Sequence, residues 1–253
     1  MSNGVSEVET TTRKHPVLRL VSAADGYERW AATYDSDPNP LLHREERYLR
    51  TVLPSFAGKQ VLDLACGTGR WLQKCFDLGL QSGIGVDVSE AMLKMASLKP
   101  GIHNRIALAD CMALPFGNGL FDLVICSFAV WHVSNVNVMA RELARVTKAN
   151  GIVLLSDLHP EAHARGWRTA FCDTTGSKQI ITHPLTVAQL IDSFTVAGMK
   201  CLKHDALWLG EPEAPIFVRA GKAHMFADAL RVPAVVAFQF RRAESRLVEG
   251  RRA

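Results

Sequence analysis

Short apolar segments alternate with longer amphipathic segments along most of the chain, beginning near residue 60. The apolar segments have the length of strands buried on both faces, and the amphipathic ones carry apolar residues at helical spacing. Seven strands are predicted, at residues 61–65, 82–87, 106–109, 121–128, 152–156, 199–209 and 233–240. Strands that alternate with helices indicate an α/β fold with a mostly parallel sheet, covered by helices on both faces.

The predicted helices fill the segments between these strands and also precede the first of them. They lie at residues 18–34, 41–53, 69–79, 89–100, 133–148, from 186 onwards, and near 218–230. Thr186 and Gln189 have the spacing of a capping box, which marks the start of a helix. Ligands of parallel sheets bind beyond the carboxyl ends of the strands, so the residues that follow each strand form the candidate site.

This pattern divides the chain into four parts. A helical lid segment is expected at residues 1–55, a ligand-binding core at 56–156, an insertion at the substrate site at 157–185, and the completion of the sheet with a basic tail at 186–253. The insertion is long for a loop, and long loops in compact domains are often functional.

The net charge of +4 is concentrated at one end of the chain. Residues 241–253 carry a net +3, whereas residues 1–240 carry a net +1. A nearly neutral body argues against a nucleic-acid-binding face. The 253 residues, 48% of them apolar, are enough for one large domain with a substantial core.

The apolar runs and the cysteines exclude several further classes. No run approaches 18 apolar residues, which argues against a transmembrane helix, and the polar N-terminus does not resemble a secretory signal. The six cysteines are scattered without a Cys-x-x-Cys pair. Free thiols and a cytoplasmic location are therefore expected.

The strongest chemical signal follows the first predicted strand, in the motif Val61-Leu-Asp-Leu-Ala-Cys-Gly-Thr-Gly69. Glycines let the backbone turn sharply and approach a ligand closely. Asp87 ends the next strand, where a carboxylate can accept the hydroxyls of a ribose. A nicotinamide dinucleotide would require a third glycine where this chain has Leu72. Asp63 beside the loop instead suits a ligand with an ammonium group, such as S-adenosylmethionine.

At these residues the chain resembles the class I S-adenosylmethionine-dependent methyltransferases. The similarity includes the glycine motif, Asp87 with Ser89-Glu-Ala-Met-Leu93, Asp110 with Leu114-Pro-Phe116, and Phe121-Asp-Leu-Val124. It spans residues 25–156 and is greatest for the small-molecule branch similar to the ubiquinone and menaquinone biosynthesis enzymes. The resemblance implies a doubly wound, Rossmann-like, seven-stranded sheet whose last strand is antiparallel, which residues 233–240 would supply at an edge.

The resemblance also implies which residues bind the cofactor. They are Tyr27, Tyr34, Asp63, Ala65, Gly67, Gly69, Asp87, Val88, Asp110, Cys111, Ser127 and Phe128. In the family Asp63 would orient the methionine ammonium, Asp87 would hold the ribose, and Asp110 would hold the adenine edge. Tyr27 and Tyr34 also recur at helical spacing with Trp30, so a core stripe is an equally good interpretation of the aromatic residues.

The acceptor site has no family pattern to guide it. His159 and His163 in the insertion are the candidate catalytic bases, with structural histidines as the alternative. Their i, i+4 spacing also permits a metal site, but no further ligand spacing supports one, so no metal is expected. The candidate substrate contacts are Trp131, His132, Trp167 and Phe171.

The combined prediction is an S-adenosylmethionine-dependent methyltransferase that acts on an oxygen or nitrogen atom of a small-molecule acceptor. A tRNA or rRNA methyltransferase is the first alternative, although Ser127-Phe-Ala-Val stands where an Asn-Pro-Pro-Tyr-like tetrad would be expected. A module that binds the cofactor without transferring a methyl group is the second alternative, because a fold does not guarantee chemistry. Oligomeric state is left open.

Overall fold

A computed structural model describes residues 18–244 of the chain. The polar N-terminal segment and the arginines at positions 246, 251 and 252 lie outside the described residues, together with the expectations made for them. Within residues 18–244, no helix has the length and apolar character needed to cross a bilayer.

The strands form two sheets. Their bounds are Arg19–Val21 (β1), Gln60–Leu64 (β2), Ser82–Asp87 (β3), Ile106–Leu108 (β4), Phe121–Ser127 (β5), Thr147–Leu158 (β6), Ala170–Asp173 (β7), Gly176–Ile180 (β8), Met199–Leu207 (β9) and Val235–Arg242 (β10). The large sheet has seven strands in the order β4-β3-β2-β5-β6-β10-β9. Pairing is parallel from β4 to β6, and β10 is antiparallel to both of its neighbours. The predicted α/β fold with a Rossmann-like sheet is confirmed.

The position of β10 differs from the edge that the sequence led us to expect. This strand lies between β6 and β9, and seven of its residues from Val235 to Arg241 pair with β6. Its run Val-Val-Ala-Phe is buried on both faces, whereas β9 exposes Lys200 and Lys203. A strand without polar alternation belongs inside a sheet, and lysines are typical of an edge.

Helices cover both faces of the large sheet. Their bounds are Ala23–Tyr34 (α1), Pro40–Val52 (α2), Arg70–Asp77 (α3), Glu90–Ser97 (α4), Val136–Val146 (α5), Pro160–Ala164 (α6), Val187–Val196 (α7), Ala214–Arg219 (α8) and Phe226–Ala229 (α9). Met139 and Leu143 of α5 pack with Phe194 of α7 in one apolar core. Leu49 of α2 and Trp71 of α3 pack in a second core, which also contains β5 residues that point to the opposite face.

The small sheet has the order β1-β8-β7 and packs against α1. Residues 19–21 were expected to be helical, but they form β1 because their backbone pairs in parallel with β8. The insertion at 157–185 is likewise not an open loop. It contains the end of β6, the short helix α6 and the β7–β8 hairpin.

Two helix predictions change at their ends or in their interior. Residues 218–230 form α8 and α9 separated by a turn at Gly221, where φ is +68°. The helix expected at 133–148 is α5, whose start is capped by the Asn135 side chain. The capping box predicted for α7 is confirmed, since Thr186 and Gln189 each bind the other's backbone N–H.

Candidate active site

A cavity of about 350 Å³ opens at the carboxyl ends of β2, β3 and β5. Its walls contain eleven of the twelve residues proposed for cofactor binding, namely Tyr27, Tyr34, Asp63, Ala65, Gly67, Asp87, Val88, Asp110, Cys111, Ser127 and Phe128. The twelfth, Gly69, lies at the N-cap of α3. These residues come from several parts of the chain, and the parallel sheet brings them together because neighbouring strands end at the same edge.

The loop after β2 is sharply wound. Ala65, Gly67 and Gly69 all have positive φ, at +51°, +54° and +74°. Such angles are strained for alanine, and strained backbone is frequent at ligand-binding sites. Asp63 below this loop is only 2% exposed and accepts the N–H of Leu72 at 2.8 Å. Burial raises the pKa of Asp63 to about 7.

Asp87 links this loop to the end of β3. One carboxylate oxygen accepts the N–H of Gly67 at 2.8 Å, and the other accepts the N–H of Ser89 at 2.9 Å. A carboxylate has about four acceptor positions, so Asp87, which lines the cavity, can still accept hydrogen bonds from a ligand. Burial raises the pKa of Asp87 above its ordinary value, although these two N–H groups favour the ionised form. The arrangement suits a ligand that offers two hydroxyl donors.

Gly85 in β3 leaves the space that the loop occupies. A Cβ atom there would lie 2.8 Å from Sγ and 3.0 Å from Cβ of Cys66. We expect Gly85→Ala to lower the free energy of unfolding by about 1–3 kcal/mol, because the loop must shift to admit a methyl group. Urea denaturation measures this change. Gly117→Ala is the matched control, since its Cβ would meet nothing within 4 Å. If both variants lose the same free energy of unfolding, the close contact between Gly85 and Cys66 does not explain the loss.

The far end of the cavity has a mixed wall. Asp110 follows β4 and accepts the N–H of Met112 at 2.8 Å through one carboxylate oxygen. Burial raises the pKa of the neighbouring Cys111 thiol to about 12, so the thiol stays protonated. Val88 lines the cavity and is 58% exposed, so its apolar side chain is accessible to a ligand.

A buried ion pair at the opposite end was not predicted. Arg70 lines the cavity, and its Nη2 donates to Glu45 at 2.6 Å and to Ser127 at 2.9 Å. Among residues 18–244, its buried Nη1 has no hydrogen-bond partner. Glu45 of α2 is completely buried and also accepts hydrogen bonds from Trp71 and from Ser156. Because the Arg70 guanidinium lines the cavity, it can meet an anionic group there.

The sequence does contain a signal for this pair. In the helix predicted at 41–53, Glu45 falls at helical spacing with Leu41, Leu49 and Val52, so a carboxylate stands on the apolar stripe. A charged residue on such a stripe is buried only when it has a partner. Arg70, directly after the glycine loop, is that partner.

Helix α1 closes one side of the cavity and is held at its middle and at its C-terminal end. The Glu28 carboxylate accepts the Ser89 hydroxyl at 2.8 Å. Asp35, at the C-terminal end, accepts the Thr68 hydroxyl at 2.7 Å and pairs with Lys99 at 2.8 Å. These bonds join α1 directly to the loops that follow β2 and β3.

The aromatic residues of α1 pack in an apolar core, and two of them also line the cavity. Tyr27 stacks on Trp30 with ring centroids 6.0 Å apart, and Trp30 also meets Tyr34 edge to face. Trp30 belongs to the small core shared with Ile180. Tyr27 and Tyr34 contact this core and also line the cavity. Burial raises the pKa of Tyr34 to about 12, so both rings keep a neutral phenol.

His132 is the histidine that lines the cavity among the described residues. The Tyr27 hydroxyl lies 3.0 Å from its Nε2. Burial lowers the pKa of His132 to about 4, so the imidazole is neutral near pH 7. Nδ1 is buried and has no hydrogen-bond partner inside residues 18–244.

The structure brings none of the other five candidate acceptor-site residues to this cavity. His159 caps α6, where its Nδ1 accepts the N–H of Glu161. His163 packs edge to face on Trp131, which is 2% exposed. Phe171 stacks on Trp30 at 5.1 Å, and Trp167 packs against two apolar cores. Packing or capping therefore occupies each of these side chains, and their site roles do not follow from the geometry.

Asp157 is a further residue that the sequence did not single out. Its carboxylate accepts the N–H of Trp131 at 3.0 Å and that of Leu158 at 2.8 Å. Burial raises its pKa to about 7. The first of these bonds holds the turn Val130–His132, and so positions His132 at the cavity. In the part of the chain that the structure describes, no group of three or more His, Cys, Asp or Glu side chains is placed to hold a metal ion.

Comparison with known proteins identifies the core. Residues 62–155 match the family described as methyltransferase domain. The chain is 34% identical over 141 residues to a malonyl-[acyl-carrier protein] O-methyltransferase of Legionella pneumophila, covering 54% of this chain and 48% of that one. It is 30% identical over 183 residues to a demethylmenaquinone methyltransferase of Thermobifida fusca, covering 64% of this chain and 77% of the relative.

Solved structures show the same fold. An S-adenosylmethionine-dependent methyltransferase from Mesorhizobium loti superposes with a TM-score of 0.61 at 23% identity, covering 79% of this chain and 98% of that one. The chain spans about half the length of several curated relatives that it matches. The matched domain coincides with the strands and loops that build the cavity, and the chain belongs to the class I S-adenosylmethionine-dependent methyltransferases.

Proposed function

We propose that this protein transfers the methyl group of S-adenosylmethionine to an oxygen or nitrogen atom of a small-molecule acceptor. The observation that carries the proposal is the cavity at the carboxyl ends of β2, β3 and β5. Its wall contains the three carboxylates Asp63, Asp87 and Asp110. The named relatives act on malonyl-[acyl-carrier protein] and demethylmenaquinone, which supports an acceptor that is not a nucleic acid.

The residues present fit the cofactor. The ammonium group would be held by Asp63, whose second oxygen is free of the Leu72 bond. The carboxylate of the methionine part would be held by the unpartnered Nη1 of Arg70. The ribose hydroxyls would be held by Asp87, and the adenine would lie between Val88 and Cys111 with Asp110 at its edge. The ammonium and carboxylate groups of the ligand thereby each meet a group of opposite charge.

The bound cofactor supplies a methyl group that is already activated by the positive charge on sulfur. The protein therefore has to align the acceptor and exclude water. Helix α1 excludes water, since Tyr27 and Tyr34 cover one side of the cavity. Ser127 and Phe128, at the end of β5, form the wall between the Arg70 end and His132.

A hydroxyl acceptor must also lose a proton. Tyr27 and His132 are placed to receive it, because the Tyr27 hydroxyl contacts Nε2 inside the cavity. The Tyr27 oxygen would take the proton from the acceptor while Tyr27 passes its own proton to Nε2. His159 and His163 do not have this access, because they lie outside the cavity wall. The pair therefore replaces them in the proposed site.

Replacement of Asp87 tests the cofactor assignment. We expect Asp87→Ala to weaken S-adenosylmethionine binding by about tenfold or more, because two hydrogen bonds to a charged acceptor are lost. Isothermal titration calorimetry gives the affinity, and circular dichroism verifies that the variant is folded. Asp77→Ala is the control, since this exposed carboxylate only accepts a bond from Gln73. A folded Asp87→Ala protein with unchanged affinity would rule out the ribose assignment.

A further inference from the structure

The contact between Tyr27 and His132 is electrically neutral. Burial raises the pKa of Tyr27 well above its ordinary value and lowers that of His132. In the tautomer with hydrogen on Nδ1, Nε2 accepts the Tyr27 hydroxyl at 3.0 Å. The Tyr27 oxygen then has its lone pairs available to a donor in the cavity.

The surroundings of this pair are largely apolar. Ala23 and Ala24 precede Tyr27 by about one turn of α1, Val133 follows His132, and these residues line the cavity together with Met139. Ser22 and Ser134 also line the cavity, and both hydroxyls are uncharged. A ligand group bound here is removed from water and meets no full charge on these six residues.

The fixed charges of the cavity wall are mainly negative. Within residues 18–244 the wall contains the carboxylates Asp63, Asp87 and Asp110 and one guanidinium, that of Arg70. The Arg70 charge is already matched by the fully buried Glu45 at 2.6 Å. Such a wall stabilises a ligand with a sulfonium and an ammonium group. Apart from Arg70, which pairs with Glu45 and is assigned to the cofactor's carboxylate, the described wall offers no cation to a carboxylate or phosphate on the acceptor. An unpaired buried anion is costly.

We propose that the acceptor is an uncharged, largely apolar molecule whose hydroxyl hydrogen-bonds to the Tyr27 oxygen, and that acceptors with a carboxylate beside the reacting position are rejected. The inference rests on the proposed function, because it places the acceptor beside the cofactor. It adds the charge class of the acceptor and the residue that contacts its hydroxyl. An acceptor carboxylate is rejected because the described wall has no free positive charge to pair with it. No repulsive side chain at the Tyr27–His132 pair is required.

Matched aromatic probes test this selection. The full chain is saturated with S-adenosylhomocysteine, and 2-naphthol or 2-naphthoate is then titrated by calorimetry. We expect 2-naphthol to bind at least about tenfold more tightly than 2-naphthoate, because only the anion leaves a buried charge unpaired. Equal or tighter binding of 2-naphthoate, or no binding of 2-naphthol up to its solubility limit, overturns the inference.

A tyrosine variant tests the contact residue. Tyr27→Phe keeps the ring that packs on Trp30 and removes only the hydroxyl. We expect it to weaken 2-naphthol binding about fivefold to tenfold, the effect of one lost hydrogen bond, and to leave 2-naphthoate binding unchanged. Tyr48→Phe is the matched control, because the Tyr48 hydroxyl donates to Asp205 outside the cavity. An unchanged affinity of Tyr27→Phe for 2-naphthol also overturns the inference.

The two levels of the proposal fail in different ways. If S-adenosylhomocysteine itself does not bind, the cofactor assignment fails before any probe is added. If it binds and the naphthoate is preferred, methyl transfer remains the proposed function and only the charge class of the acceptor is wrong.

Discussion

Replacing Glu45 with alanine is expected to lower the free energy of unfolding by about 3–5 kcal/mol, because it leaves the Arg70 guanidinium buried without its carboxylate. The same change removes the acceptor for the indole N–H of Trp71 and for the hydroxyl of Ser156. A loss of this size is a large part of the roughly 5–15 kcal/mol that stabilises a typical domain. Urea denaturation monitored by tryptophan fluorescence gives the value.

The adjacent residue provides a closely matched control. Glu46 lies on the same helix but is partly exposed, where it pairs with Arg50 and Lys74 at 2.9 Å. Glu46→Ala is expected to cost about 0–1 kcal/mol, as exposed pairs do. The double variant Glu45→Ala with Arg70→Ala should lose less than the sum of the two single changes, since neither charge is then left alone. Similar losses for Glu45→Ala and Glu46→Ala would contradict the buried ion pair.

The affinity for S-adenosylhomocysteine is expected to fall about tenfold between pH 8 and pH 6, because Asp63 must be ionised to hold the ligand's ammonium group. Burial raises the pKa of Asp63 to about 7 in the free protein. A nearby ammonium group lowers that pKa, so binding favours the ionised carboxylate. The affinity is therefore highest above pH 7 and decreases as the pH falls through 7. Titration calorimetry across this range measures the change.

Two variants separate Asp63 from other groups that titrate nearby. Asp63→Asn cannot ionise, so its affinity should be low and nearly independent of pH over the same window. Asp157→Asn should keep the pH dependence, because Asp157 also has a pKa of about 7 but lies outside the cavity wall. His132 has a pKa of about 4 and does not titrate in this range. A steep pH dependence that survives in Asp63→Asn would assign the effect to another group.

The central strands were predictable because the necessary information is local. The runs that became β2, β3 and β5 are short, apolar and followed by turns, and each was placed within a few residues of its observed bounds. The neighbour of a strand is decided by contacts between distant parts of the chain. The insertion of β10 between β6 and β9, and the pairing of β1 with β8, therefore could not be read from periodicity.

The same distinction applies to the site. The residues that line the cavity after β2 and β3 follow directly from the ends of those strands, so motif spacing located them. The function of a histidine depends on what surrounds it in three dimensions. Residues 157–185 fold back into α6 and a hairpin, and this takes His159 and His163 away from the cavity while His132 reaches it. The spacing of residues along the chain does not show that this segment folds back.

The interior position of β10 has a consequence for biosynthesis. When β6 has left the ribosome, its outer edge is a row of unpaired backbone groups. The strand that covers it, β10, comes only after α6, β7, β8, α7, β9, α8 and α9. Pairings between distant segments form slowly, and an open edge of an apolar strand invites association with other chains. The nascent chain therefore passes through a stage in which five of the seven strands have been made and the edge of β6 is still open to association with other chains.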